Sequence, residues 1–135
     1  MKMNFKALGT DIAVEIVSKK FYPKLENEVI EFYQQKEKIF SRFDPGSELA
    51  FLNMNTGRLI DAASDIIEIA ARSLAYYKKT AGYFDPRIIG ILENVGYDKD
   101  FKDIAAGHVQ KSNKVNLNDN LSGQLKIEED KIYFG

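Results

Sequence analysis

Three short polar segments, each set in apolar sequence, contain the residue types best suited to ligand binding. They are Ala-Leu-Gly-Thr at 7–10, Phe-Ser-Arg-Phe-Asp-Pro-Gly-Ser-Glu-Leu at 40–49 and Gly-Tyr-Phe-Asp-Pro at 82–86. Each joins a glycine or proline to an apolar or aromatic side chain and a hydrogen-bonding group. That mixture suits a flat heteroaromatic ligand, because apolar faces stack on its rings and a few polar groups fix its orientation. The same residues also form ordinary turns, and from the residue types alone a purely structural role is favoured for each segment over ligand binding.

Other familiar kinds of active site have little support. The single histidine, His108, lies in a polar segment without a Gly-x-Ser-x-Gly sequence, which predicts a solvated loop residue and not a member of a catalytic triad. The absence of cysteine excludes disulfides, thiolate metal sites and cysteine nucleophiles. A Walker-type phosphate loop is also absent. Acidic pairs such as Asp98/Asp100 and Glu128/Glu129 are expected on solvated surface.

Composition narrows the class of protein and of partner. The chain has 135 residues, 44% hydrophobic and 29% charged, which is typical of one globular domain spanning 1–135. Its 19 Lys and Arg against 20 Asp and Glu give a formal net charge of −1, which argues against nucleic acid or an anionic membrane as partner. We expect small-molecule or protein partners. With no long apolar run and no signal-peptide pattern, the sequence as written predicts a soluble, cytoplasmic protein.

The first segment lies between two predicted strands, and the second follows a predicted helix. Ile12, Val14 and Ile16 alternate with less apolar residues, which indicates a strand that pairs with residues 3–7 through Gly9. A helix is predicted from Pro23 to about Ser41, with an apolar stripe at Leu25, Val29, Phe32, Ile39 and Phe43. Asp-Pro-Gly-Ser at 44–47 breaks that helix, and 48–53 favours one more helical turn.

The third segment follows a second predicted helix. Asn-Thr-Gly at 55–57 is a turn signal, and Leu59 and Ile60 lead from it towards the helix. Ser64 is the predicted N-cap, and Gly82 the predicted stop. The predicted buried stripe of this helix comprises Ile66, Ile67, Ala70, Ala71, Leu74 and Tyr77.

Residues 83–97 read as an unusually apolar loop that is held against another part of the protein. Short alternating pairs follow it, and they predict two or three strands at Val115/Leu117, Leu125/Ile127 and Ile132/Phe134. The predicted fold class is therefore α+β, with an N-terminal strand pair, two amphipathic helices, an apolar loop and short C-terminal strands. Because no closing element follows the last pair, we expect the chain to end before its fold does.

Taken in order, the three segments and the later Gly96-Tyr97 resemble the ApbE family. Its members have an A-M-G-T strand end, an S-x-F/Y-D-P-x-S-E-L-x-x-L/F-N segment, a G-A-F-D-P-x-x-G-P-L loop and a W-G-F element in this order. Four ordered matches at compatible spacing are far more specific than any one of them. The resemblance covers nearly the whole chain but matches only the first part of the family's domain.

The resemblance implies contacts to FAD at five residues. Leu8 takes the place of the A-M-G-T methionine, Phe43 that of the aromatic residue in the second motif, and Tyr83, Phe84 and Asp85 those of an A-F/M-D tripeptide. These roles agree with the chemistry of the side chains. Leu8 and Phe43 offer apolar contact, and Asp85 can accept a hydrogen bond from a ligand hydroxyl or ring nitrogen.

The resemblance also implies the reaction of an FAD:protein FMN transferase. Such enzymes use Mg²⁺ to cleave the FAD pyrophosphate, move FMN onto a Thr or Ser of a target flavoprotein and release AMP; some relatives hydrolyse FAD instead. Family members are often exported. Glu48 and Asn53 belong to the second motif, where we expect them chiefly to brace the loop.

The sequence departs from the family pattern at several positions. Leu8 replaces Met, a change that conserves volume, whereas Tyr83 replaces a small residue and Val95 replaces Trp. No sequence after Lys111 matches the family's D-L-G-G-I-A-K-G segment or its later Asp/Thr pair. The ligands of Mg²⁺ are therefore expected outside this chain, no catalytic or metal residue is assigned within it, and it is predicted to be inactive alone.

Two hypotheses follow from these observations. In the first, the chain is the N-terminal portion of an ApbE-like FMN transferase domain that acts on FAD and an acceptor flavoprotein. In the second, it is a non-catalytic relative that binds flavin without chemistry or associates with another chain, such as a second copy, through exposed core residues.

Overall fold

The computed structural model describes residues 1–20, 22–94 and 120–135, which divide into two compact units, Met1–Ala50 and Phe51–Gly135. Helices and small antiparallel sheets are mixed along the chain, which confirms the predicted α+β class. The elements in chain order are β1 Lys2–Ala7, β2 Thr10–Glu15, α1 Leu25–Phe40, α2 Glu48–Met54, β3 Leu59–Asp61, α3 Ser64–Lys79, α4 Ile89–Asn94, α5 Leu121–Gln124, β4 Leu125–Glu128 and β5 Lys131–Phe134.

The first unit contains the predicted strand pair. β1 and β2 are antiparallel, and the pair Ala7 and Thr10 closes the hairpin around a two-residue turn. Met3 and Ala7 are buried and Phe5 is half-buried, so one face of β1 turns inward, as its period-2 pattern predicts. The β1 face packs on α1, where the rings of Phe5 and Tyr33 meet edge to face with centroids 5.3 Å apart.

Helix α1 differs from its prediction at both the start and the apolar stripe. It begins at Leu25 and not at Pro23, because Tyr22, Pro23 and Lys24 form the preceding turn, in which the Leu25 N–H donates to the Tyr22 carbonyl at 3.2 Å. Phe32, placed on the stripe by sequence, is 52% exposed. The reason is rotation: Tyr33, about 100° further around the helix, is the residue that meets β1.

The second unit contains a three-stranded antiparallel sheet with strand order β3-β5-β4. The predicted strands at Leu125/Ile127 and Ile132/Phe134 are confirmed as β4 and β5, whereas Val115/Leu117 lies outside the described residues. Leu59 and Ile60, predicted only to lead into a helix, form the short strand β3 beside β5. Helix α3 packs on β4 and α5. Among the described residues of this unit, the buried apolar side chains are Leu52, Ile66, Ala70, Leu121, Leu125 and Ile132.

Helix α3 confirms the predicted helix but corrects two details. Its N-cap is Ala63, with ψ near 147°, so Ser64 is already the first helical residue and makes no capping bond. Of the predicted stripe, Ile66 and Ala70 are buried, but Ala71 is exposed because it lies about 100° around the helix from Ala70. Gly82 has the positive φ expected of a helix stop, +85°.

The apolar stretch from residue 83 is not simply a loop held against other structure. It contains helix α4, and Ile88, Ile89 and Ile91 are each about two-fifths exposed. The Leu92 N–H donates to the Ile88 carbonyl at 2.9 Å, so the chain satisfies its backbone locally by a helical turn. Val95, Gly96-Tyr97 and His108 lie outside the described residues. Within the part of the chain that the structure describes, no helix combines the length and apolar character needed to cross a bilayer.

Candidate functional site

Leu8 lies at the tip of the β1–β2 hairpin in a conformation unusual for a leucine. Its φ is +54° and that of Gly9 is +70°, so both turn residues have the left-handed backbone of a tight two-residue hairpin turn. Asn, Asp or Gly normally occupies such a position, and a residue with a larger side chain costs about 1 kcal/mol there. The Leu8 side chain is 46% exposed, so its apolar surface is accessible from solvent.

The turn is attached to helix α1 by a hydrogen bond. The Leu8 N–H donates to Oε1 of Glu37 at 2.9 Å, across 29 residues of sequence. Glu37 follows Tyr33 by four residues, so both lie on the helix face that meets the hairpin. The position of Leu8 therefore depends on α1 as well as on the local turn sequence.

Two serines, Ser41 and Ser47, fix the backbone of the segment after α1 through hydrogen bonds that they donate and accept. The Ser41 N–H donates to the Glu37 carbonyl at 2.9 Å and ends the helix, and Oγ of Ser41 accepts from the Asp44 N–H at 3.1 Å. Ser47 is 1% exposed; its hydroxyl donates to the Ser41 carbonyl and accepts from the Ala50 N–H at 3.1 Å. Ser47 is thus the residue that caps α2, and sequence reasoning had not assigned it this role.

Phe43 lies within this segment with its ring 42% exposed. The Arg42 guanidinium lies 4.2 Å from the ring centroid, a close cation–π contact. An electron-rich ring beside a fixed cation is a suitable surface for an electron-poor aromatic ligand with negatively charged substituents. Of the two motif residues that follow, Glu48 begins α2 and is half-buried, and Asn53 lies on α2 and is exposed.

The third segment begins where α3 ends, and its backbone turns sharply there. The Ala81 N–H donates to the Lys78 carbonyl at 3.2 Å and the Gly82 N–H to the Tyr77 carbonyl at 2.9 Å, which is the bond pattern of a Schellman cap. Ala81 itself has a φ of +51°, the conformation that usually selects glycine. This turn sets the direction in which residues 83–85 leave the helix.

Thr80 holds the predicted tripeptide in place. Its Oγ1 donates to the Tyr76 carbonyl at 2.8 Å and accepts from the Phe84 N–H at 2.9 Å. The Phe84 ring lies edge to face with that of Tyr76, at 6.1 Å between centroids, and is 43% exposed. Tyr83 is 97% exposed. A hydroxyl residue directly after the last lysines of a helix is a signal from which this role of Thr80 could have been predicted.

The Asp85 carboxylate forms an ion pair with the Arg87 guanidinium. Nε of Arg87 lies 2.9 Å from Oδ1 and Nη2 lies 2.6 Å from Oδ2, a bidentate pair whose side chains are only 11% and 16% exposed for Asp85 and Arg87. Nη1 of Arg87 donates to Oε1 of Gln124 at 2.7 Å. The hydrogen bonds from Arg87 lower the pKa of Asp85, so its carboxylate is ionised and serves as an acceptor.

The five predicted residues thus fall into two groups. Leu8 and Phe43 belong to the first unit, where both segments are bonded to α1; Tyr83, Phe84 and Asp85 belong to the second. Four of the five side chains offer exposed apolar or aromatic surface, which suits a flavin. Among residues 1–20, 22–94 and 120–135, no three His, Asp or Glu side chains converge into a group that could hold a metal ion.

The sequence profile of the ApbE family matches residues 8–131, a range that includes all five of these residues. The chain belongs to the ApbE family. This confirms the resemblance carried by the three segments. No curated protein sequence shows a significant match to the chain.

Two solved ApbE structures share the fold of this ApbE family member. The ApbE protein of Thermotoga maritima aligns with a TM-score of 0.75 and 16% identity over 99% of this chain and 44% of its own. The flavinyl transferase ApbE of Pseudomonas stutzeri, in its apo form, aligns with a TM-score of 0.75 and 17% identity over 99% of this chain and 46% of its own. The chain therefore spans less than half the length of each.

Proposed function

We propose that residues 1–135 form the N-terminal part of an ApbE flavin transferase domain and supply apolar and aromatic contacts to FAD. The observation that carries this proposal is the family match over 8–131, which includes all five predicted contact residues. The exposure of Leu8, Phe43 and Phe84 supports it, because exposed apolar and aromatic side chains are accessible to a ligand.

Each group of residues has a distinct proposed role. Leu8 and Phe43 contact flat rings of FAD from the first unit, with Arg42 beside Phe43 adding a positive charge suited to a phosphorylated ligand. Tyr83 and Phe84 supply aromatic faces from the second unit. Asp85 stays ionised beside Arg87 and accepts a hydrogen bond from a ligand hydroxyl or N–H through the lone pairs that Arg87 leaves available.

The proposed reaction of the whole domain is transfer of FMN from FAD to a Thr or Ser of an acceptor flavoprotein. The acceptor hydroxyl oxygen forms a bond to the FMN phosphorus, the pyrophosphate P–O bond breaks, AMP leaves and the hydroxyl proton passes to a base. Such a transfer depends on positioning and on neutralising phosphate charge, which Mg²⁺ supplies when bound. We assign neither the base nor the Mg²⁺ ligands to this chain and expect it to be inactive alone.

Flavin binding is tested by titrating the ¹⁵N-labelled chain with FAD, and separately with AMP, while amide NMR signals are followed. We expect shifts concentrated at Leu8, Phe43 and 83–85 with FAD, and fewer of them with AMP. Phe43→Ala is expected to weaken the FAD response. Phe32→Ala removes another ring of similar exposure, 52%, which lies on α1 outside the motifs, and this change is expected to leave the FAD response unchanged. A wild-type chain whose signals do not move at these residues would refute the binding proposal.

Catalysis is tested separately, by incubating the chain with FAD, Mg²⁺ and an acceptor peptide that contains Thr and Ser. Mass spectrometry is expected to find no peptide that has gained FMN. Covalent flavin on the peptide would contradict our assignment of the catalytic groups to residues outside this chain.

A second candidate function is that of a non-catalytic interaction module that associates with a second copy of itself. The exposed apolar side chains of Ile88, Ile89 and Ile91 on one short stretch favour it. Sedimentation velocity over a range of concentrations distinguishes the two functions. A dimer that Ile88→Lys converts to a monomer would support the module, whereas a monomer throughout would exclude it.

A further inference from the structure

We infer that Glu37 is a positioning residue. It holds Leu8 in its ligand-facing conformation and fixes the position of Leu8 relative to the segment that carries Phe43. This inference rests on the proposed function, because it concerns how two of the proposed flavin contacts are arranged. Glu37 belongs to none of the sequence motifs. It lies in the polar stretch 34–38 of α1, between two lysines.

Glu37 is bonded to both segments at once. Its side-chain Oε1 accepts from the Leu8 N–H at 2.9 Å, and its main-chain carbonyl accepts from the Ser41 N–H at 2.9 Å. Leu8 is the first residue of the hairpin turn, and Ser41 is two residues before Phe43. One residue of α1 therefore links the two proposed contacts of the first unit.

The turn needs such a support because its sequence does not favour its conformation. Leu8 has a φ of +54°, where a leucine is strained by about 1 kcal/mol. The hydrogen bond to a charged acceptor is of the stronger kind and offsets part of that strain. Without it, the Leu8-Gly9 turn is free to adopt other conformations, in which the Leu8 side chain points elsewhere.

The bond contributes more to orientation than to global stability. Leu8 lies at an exposed turn, so water can satisfy its N–H when Glu37 is removed. Phe5 and Tyr33 continue to pack α1 against the hairpin in that case. We therefore expect loss of Glu37 to change the turn and the FAD response while the free energy of unfolding changes little.

The test compares Glu37→Ala, Glu37→Gln and Glu31→Ala in the whole chain. Gln keeps an acceptor oxygen of the same reach. Glu31 is exposed on the same helix, so its replacement removes one charge from α1 without touching the turn. For each variant, amide exchange and the backbone coupling constant at Leu8 are measured by NMR, together with the FAD dissociation constant from the same titration and the urea midpoint.

We expect Glu37→Ala to speed exchange at the Leu8 amide and to weaken FAD binding about fivefold, in line with the loss of one hydrogen bond to a charged group. Glu37→Gln is expected to restore both values to within about twofold, and Glu31→Ala to leave them unchanged. The inference is overturned if Glu37→Ala binds FAD like the wild type, if Gln fails to rescue, or if the FAD loss follows a lowered urea midpoint.

These outcomes are separable from failure of the proposed function. If wild-type signals at Leu8 respond to FAD and Glu37→Ala responds equally, the proposed function stands and only the positioning role is refuted. If the wild-type chain shows no response to FAD at Leu8 or Phe43, the proposed function is refuted and the positioning role with it.

Discussion

The segments that follow α1 and α3 both contain Phe-Asp-Pro, at 43–45 and 84–86, and they fold alike locally but are held differently. In each, the aspartate accepts from the N–H two residues later: Asp44 from Gly46 at 2.8 Å and Asp85 from Arg87 at 2.9 Å. In each, a hydroxyl residue at the helix end accepts a loop N–H, Ser41 in one and Thr80 in the other. The same short sequence thus forms the same turn in both units.

The difference lies in the residue two positions after the aspartate. Gly46 has no side chain, so Asp44 remains exposed, and the buried hydroxyl of Ser47 bonds the segment 40–49 to itself by donating to the Ser41 carbonyl. The Arg87 guanidinium forms a largely buried ion pair with Asp85 and donates a hydrogen bond to Gln124. Asp44 is therefore a solvated residue that forms only the turn, whereas Asp85 also belongs to a network with Arg87 and Gln124.

The largest expected effect is the difference between replacing Asp44 and replacing Asp85, measured as the change in free energy of unfolding. Asn can form the same turn, so Asp44→Asn should change the free energy of unfolding by less than about 0.5 kcal/mol. Asp85→Asn removes the charge opposite a largely buried Arg87 and should cost about 2 kcal/mol, less than a fully buried pair because some solvent reaches it. Urea unfolding of both variants measures the contrast. Equal costs would show that the ion pair adds nothing to the turn.

The next effect tests the role of Ser47 in the segment 40–49. Ser47→Ala removes the cap of α2 and leaves the Ser41 carbonyl and Ala50 N–H without their buried partner, so we expect a loss of about 1 to 2 kcal/mol. Ser64→Ala is the control, since Ser64 begins α3 without capping it and its replacement should change stability by less than about 0.3 kcal/mol. Thermal and urea unfolding check both. A cost at Ser64 matching that at Ser47 would contradict the assignment of Ala63 as N-cap.

A smaller effect concerns the turn at Ala81 and Gly82, where α3 ends and the segment 82–86 begins. Ala81 has a φ of +51°, so Ala81→Gly should relieve backbone strain and stabilise the protein by about 0.5 kcal/mol after the added freedom of the unfolded chain is counted. Gly82→Ala should destabilise it by about 1 kcal/mol, because φ is +85° there and an alanine is strained in that conformation. We therefore expect the urea midpoint to rise for Ala81→Gly and to fall for Gly82→Ala.

The smallest effect is the pH dependence of the stabilisation that the Asp85–Arg87 pair provides. Because Arg87 lowers the folded-state pKa of Asp85, the pair stabilises the protein fully above the unfolded-state pKa near 4, and this contribution is lost as pH falls through the folded value. The difference in free energy of unfolding between wild type and Asp85→Asn should therefore narrow on acidification below about pH 4. A difference that stays constant from neutral to acidic pH would refute the assignment.

Much of the local structure could be predicted from the sequence, and the failures share a cause. The hairpin, the α1 and α3 helices, the break at 44–47 and the strands β4 and β5 follow from short-range periodicity and turn residues. The stripe positions Phe32 and Ala71 were wrong because one residue rotates a helix face by about 100°, and only the packing partner decides which face is buried. Strand β3 was missed because three residues carry no periodic signal without β5 beside them.

The sequence by itself determined the turns, the main helices and membership of the ApbE family, because these depend on residue types at fixed short spacings. Only the tertiary structure decided that Glu37 holds the turn at Leu8 and that Arg87 joins Asp85 to Gln124. Those bonds span 29 and 37 residues and arise only when separate elements pack together. A hydrogen bond needs two groups within about 3 Å, and chain spacing alone does not fix that distance over so many residues.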